Sequence, residues 1–199
     1  MSIANNITMP YLKSVFIVLL LFIDGPSFAQ NGTRKSWSAT DSLQWSDFRG
    51  PVDPSSRFDA STHSGVSYTF SRNADLRSMR FIFTTASFMD RLQSWAKADK
   101  QTPELLSHER LHFDISEFFA RKMLEAFNAH SYTTNYRDEI EKIFKQMMEA
   151  RQTMEDLYDE QSNHFVNKAK QAEWARYVAD LLSNNYTYQQ ALEKEPVAK

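Results

Sequence analysis

The residues in this sequence most able to do chemistry lie together: His108-Glu109-Arg110-Leu111-His112. On a helix, positions four apart lie about 40° apart in projection, so both imidazoles can reach one ion from one face. Glu109 lies about 100° around from His108, close enough to meet a water on that ion without ligating it. Zinc lowers the pKa of a water it holds towards 7, and a carboxylate so placed can take that water's proton as it attacks a carbonyl. With 5 histidines in 199 residues, a shuffled chain would give this pattern less than about once in a hundred times. Two buried imidazoles without partners would cost about 1–3 kcal/mol each, so the pair needs a cation or its own hydrogen-bond acceptors.

A hydrolytic zinc site takes three protein ligands and leaves one position for water. Glu117 lies about 180° around the helix from His108 and faces away. His63 belongs to a strand-entry loop and His130 falls just past the helix end, whereas His164 closes the next long helical stretch. If that second helix packs antiparallel to the first, its end returns to the histidine pair. His164 is therefore the expected third ligand, with the carboxylates Asp159 and Glu160 as alternatives or as partners of the ligands. Tyr158 is the expected oxyanion stabiliser.

The elements that must hold these groups follow from capping and periodicity. Thr102 before Pro103 is a helix start, since threonine can cap and proline fits the first turn. The helix is predicted over 103–128, with Leu105, Ile115, Phe119, Met123 and Ala126 on the histidine stripe. A second helix starts near 135, its face marked by Ile140, Phe144, Met147, Met154 and Tyr158 and interrupted by Arg151. A third covers 167–183 around Trp174, Val178 and Leu181, and the Lys/Glu-rich tail after Ala191 is expected to fray. Upstream, Val66, Tyr68 and Phe70 alternate as in a half-buried strand. Met79–Thr85 reads as its partner, joined by a turn around Asn73, and offers an edge for an extended peptide. Trp45 and Phe48 should dock on the core from a loop-rich segment. The fold class is α+β: a small antiparallel β element, β-rich over 40–88, then a bundle of three long helices over 90–190, with a zincin-like active-site helix.

Composition removes several classes. The 23 Lys+Arg against 25 Asp+Glu give no basic excess for nucleic acid. The 4 glycines are not spaced to cradle a phosphate. With no cysteine there is no disulfide and no thiolate ligand, which leaves histidines and carboxylates for a metal. Lys13, the apolar run Val15–Ile23 and the small residues Ser27 and Ala29 form an export signal too short to span a bilayer. Cleavage is expected after Ala29, leaving residues 30–199 as one domain, secreted or periplasmic and not held in a membrane.

Leu106-Ser107-His108-Glu109-Arg110-Leu111-His112-Phe113-Asp114-Ile115 with Glu117, then Tyr158-Asp159, Ser162, His164, Gln171 and Trp174, resembles a bacterial family of unknown function. Its members are commonly labelled secreted zinc-dependent proteases, and an upstream element of that family is similar to Trp45, Asp47, Phe48 and Gly50. Two positions depart from its pattern: Ser162 where threonine is usual and Phe165 where glycine is usual. The expected function is an exported zinc peptidase acting on peptides or proteins, with His108, His112 and His164 on Zn2+ and Glu109 as general base. The alternatives are a non-catalytic zinc-binding interaction module and a zinc amidase acting on cell-wall peptides. Asp114 and Glu117 lie off the histidine face and are expected to bind the N-terminal segment or solvent.

Overall fold

The computed structural model describes residues 32–72, 80–184, 186–194 and 196. The expected leader, residues 1–29, and the turn around Asn73 lie outside the described residues. Three strands form the main sheet: β1 (Arg34–Ser36), β3 (Ser64–Arg72) and β4 (Phe81–Asp90), in the order β1-β4-β3 and antiparallel throughout. β3 and β4 pair from Ser64↔Met89 to Arg72↔Phe81. Two short strands, β2 (Ala60–Ser61) and β5 (Trp95–Ala96), pair beside it. β4 outruns the expected Thr85 because its inward positions turn polar and are met by the first helix. Thr85 donates to the Ala120 carbonyl (2.7 Å) and Ser87 to Glu117 (2.7 Å), so the alternation persists without its apolar signal.

Four helices follow: α1 (Pro103–Ala129), α2 (Tyr136–Ser162), α3 (Lys168–Ser183) and α4 (Tyr188–Glu193). The Thr102 hydroxyl accepts from the Leu105 amide at 3.2 Å, the cap that the Thr-Pro start predicts. α2 runs antiparallel to α1, as Arg151 meets Ser116 and Tyr158 meets the His108 carbonyl. One core joins the sheet to the three long helices, from Val66 and Phe83 through Ile115, Phe119 and Met123 to Met154, Trp174, Val178 and Leu181. Ala126 is only half-buried, and Phe127 fills the core beside it. A short helix reaches Glu193, and most of the tail beyond it lies outside the described residues. Thr187 and Gln190 form a capping box, and α4 buries Ala191 completely, with Tyr177 donating to its carbonyl at 2.9 Å.

The N-terminal segment is fastened by charge and by one glycine. Buried Asp47 pairs with Arg91 at 3.0 Å and with Lys35 at 3.6 Å. The Trp45 and Phe48 rings meet at a tilt with centroids 5.0 Å apart and pack against Ala60, Ala96 and Leu105. A Cβ at Gly50 would come within 2.7 Å of the Leu92 carbonyl oxygen and 2.9 Å of that of Ser94, so only glycine fits there. Asp114 accepts from the Trp37 indole at 2.7 Å, the N-terminal bond expected for it.

Candidate metal centre

α1 carries His108, buried, and His112, one turn on, with ring centroids 5.0 Å apart and planes nearly perpendicular. The last full turn of α2 brings Asp159 against both. Its Oδ1 lies 3.3 Å from His108 Nε2 and 3.1 Å from His112 Nε2. These are hydrogen-bond distances without hydrogen-bond directions: this buried oxygen accepts no aligned bond from any described residue. Ligand atoms around a tetrahedral ion with bonds of 2.0–2.1 Å are separated by about 3.3 Å. The two distances from Asp159 Oδ1 match that separation.

The electrostatics follow from the crowding. Burial disfavours charge on His112, but Asp159, with Glu155 and Glu109 behind it, outweighs that and keeps the ring protonated up to about 9. Burial likewise opposes charge on Asp159, yet the two histidines hold its carboxyl well below the usual carboxylate range.

Each histidine is also held from behind. His108 Nδ1 meets Gln171 Oε1 of α3 at 3.1 Å. His112 Nδ1 faces Glu155 Oε1 at 3.9 Å, and that carboxylate takes a 2.8 Å bond from Arg151. Arg151 donates further to Ser116 Oγ (2.9 Å) and to the Ser64 carbonyl (2.9 Å), tying α2 to α1 and to the start of β3. The charged residue that breaks the apolar stripe of α2 is thus the buried anchor of the site. Burial raises the Glu155 pKa, with Arg151 opposing it.

Glu109 is 4% exposed and makes no hydrogen bond or ion pair with any described residue. Its charge is felt at His112 and at Tyr158, which places it at the edge of the cluster. The outcome for the other expected residues is mixed. His164 stands beside the cluster: its Nδ1 is 3.5 Å from the other oxygen of Asp159, and its ring packs on Phe58 at 4.8 Å. The converging set is His108, His112 and Asp159, so the carboxylate alternative occupies the third corner. Glu160 is exposed and is not among the converging groups. After Ser162 the backbone leaves the helix: Asn163, His164 and Phe165 take φ of 48°, 49° and 71°, three successive left-handed residues. An uninterrupted helix would set His164 about 140° around from Asp159; after this turn its ring lies against the outer oxygen of that carboxylate. The φ of Phe165 also accounts for the glycine that the similar family uses there. Tyr158 does not reach the open side. Its hydroxyl, fully buried, donates to Gln171 Oε1 at 2.7 Å and lies 3.3 Å from the His108 carbonyl, a supporting place behind the histidine.

The strand edge offered for a peptide leads away from the cluster. β1 covers only Phe88–Asp90 of β4, so the side of Phe81–Ser87 away from β3 has no strand partner among the described residues. That stretch runs along α1 towards Phe127, whose ring stacks on Phe83. At 1.5 Å per residue, Phe127 lies about 22 Å along the helix from His112.

The chain belongs to the family described as bacterial protein of unknown function (DUF922), whose model matches residues 34–165. That span holds α1, α2 and all three converging groups. No curated protein and no solved structure matches the chain.

Proposed function

We propose that this chain is an exported zinc-dependent peptidase, with α1 as a zincin-like active-site helix. The observation that carries the reading is the convergence of His108 Nε2 and His112 Nε2 on Asp159 Oδ1, with Glu109 buried beside them and free of described protein partners. His108, His112 and Asp159 would hold the cation, and His164 flanks the carboxylate. Zinc bound there supplies a Lewis acid that makes water acidic near neutral pH and polarises a carbonyl. Glu109 accepts the proton of the attacking water and returns it to the leaving amine. Gln171 and Glu155 keep the two imidazoles aimed while this happens. Tyr158 supports His108 through Gln171. A structural site needs no base beside its metal and usually closes with four protein ligands, so Glu109 and a three-group cluster favour hydrolysis. Peptides or proteins are the substrate class, and the leader pattern supports export, with a mature N-terminus near Gln30.

Metal analysis of the purified chain beside Glu109→Gln, with turnover on a mixed peptide library, tests the proposal. Glutamine keeps the shape but takes no proton, so zinc content should hold while turnover falls by about 10²-fold or more. Equal, chelator-insensitive turnover in both proteins sinks the mechanism. Bound zinc with no peptide turnover in wild type favours the binding module, and turnover confined to cell-wall peptides favours the amidase. Asp159→Asn and His164→Ala, titrated with zinc in parallel, assign the third ligand.

A further inference from the structure

We infer that Gln171, on α3, is a positioning residue that holds the ring proton of His108 on Nδ1 and so turns Nε2 into a free lone pair at the cluster. The inference rests on the metal reading above and adds a residue from a third helix to it. Gln171 Oε1 receives two groups: the Tyr158 hydroxyl at 2.7 Å and His108 Nδ1 at 3.1 Å. A carbonyl oxygen only accepts, and it has two lone pairs for two donors. With the amide oxygen facing it, the ring nitrogen carries the hydrogen, which leaves the far nitrogen, 3.3 Å from Asp159, as the one able to bind a cation; the other end of the amide, Gln171 Nε2, is buried without a partner among the described residues.

The backbone of Gln171 is held at the start of α3. Asn167 caps α3, accepting from Lys170 N at 3.2 Å, and its carbonyl takes the Gln171 amide at 2.9 Å. Tyr158 is pinned in turn against Trp174, whose indole donates to Gln161 at 3.0 Å. The two histidines are thereby given different supports: a neutral amide for His108, a carboxylate held by Arg151 for His112. A neutral acceptor fixes the tautomer without adding charge to a cluster that already holds Asp159, Glu155 and Glu109.

The test compares wild type, Gln171→Met and Gln171→Glu. Methionine keeps length but offers no strong acceptor; glutamate restores one. Zinc affinity, read by competition with a chromophoric chelator, should fall about 10- to 100-fold in Gln171→Met and return to or exceed wild type in Gln171→Glu. Imidazole nitrogen shifts of the metal-free chain provide a readout that a merely structural role would not move. Wild type should carry the His108 proton on Nδ1, and Gln171→Met should lose that preference. Wild-type affinity in Gln171→Met, or the Nε2–H form in wild type, overturns the inference. If Gln171→Met does not fold, the wild-type tautomer and the Gln171→Glu titration still decide. A wild type that binds no zinc yet holds its proton on Nδ1 sinks the metal reading and leaves the positioning role standing.

Discussion

Replacing Asp159 with asparagine keeps the outline of the side chain and removes one negative charge from between two imidazoles. In the metal-free chain that charge is what lifts His112 from 6.5 to about 9 against burial, the largest influence on the ring. A group raised in the folded state adds stability that is complete below its unfolded value and is lost as pH climbs through its folded value. The wild-type contribution is therefore full below about 6.5 and gone above about 9, and at about 1.4 kcal/mol per unit it is on the order of 3 kcal/mol. Asp159 sees the same attraction from the other side, so it is counted once. In Asp159→Asn only Glu155 and Glu109 oppose burial, and most of this pH dependence should vanish. Urea unfolding of chelator-treated proteins at pH 6, 7.5 and 9.5, followed by tryptophan fluorescence, reads it directly: a wide gap at pH 6 that closes by pH 9.5. Zinc should reverse the trend, because binding needs neutral imidazoles and at pH 7.5 displaces about one proton, measurable by calorimetry in buffers of different ionisation heat. Parallel wild-type and variant curves across the pH range, or a variant that keeps wild-type zinc affinity, would refute the reasoning.

Two further substitutions test the supports of the site. Arg151→Met leaves the Glu155 carboxylate and the Ser64 carbonyl buried without their guanidinium, and should cost about 3–5 kcal/mol in urea unfolding; a loss under about 1 kcal/mol would remove the network from the account. At Phe165, φ 71° penalises any side chain, so Phe165→Gly should be more stable than Phe165→Ala by about 1 kcal/mol, with both below wild type for lost packing near Leu105. Equal melting temperatures for the glycine and alanine variants would show that the turn stores no strain.

Local signals carried most of what the sequence revealed. The α1 start, the histidine pair and the helix ends near 129 and 183 depend on neighbours within a turn or two, and they lie within a residue or so of the predicted positions, while α2 stops at Ser162, two residues short of the expected His164. Groups that meet across long separations were harder to read. Asp159 stood among the alternatives to His164; its convergence with the histidine pair follows from how α2 packs on α1, and the left-handed turn at 163–165 was hinted at only by Phe165, since all three residues there are non-glycine. Gln171 was visible only as part of a family pattern, because its bond to His108 spans 63 positions. Arg151 did leave a trace: an arginine in an apolar stripe, four residues before a glutamate, is the spacing of a buried ion pair. The continuation of β4 to Asp90 was hidden because Thr85 and Ser87 find their partners on α1.

The converging groups sit at residues 108 and 159, on different helices. An ion gripping both would close a loop of about 50 residues, and in the chain-entropy picture a cross-link of that span removes about 4 kcal/mol of freedom from the unfolded chain. Small proteins outside the cell usually obtain such a staple from paired cysteines, and this chain has none. The cation would then be the chain's covalent-like tether as well as its reagent, so stripping it should loosen the whole helical bundle and expose the backbone to proteases. On the proposed peptidase reading, loss of the ion would turn the chain into a substrate for its own kind.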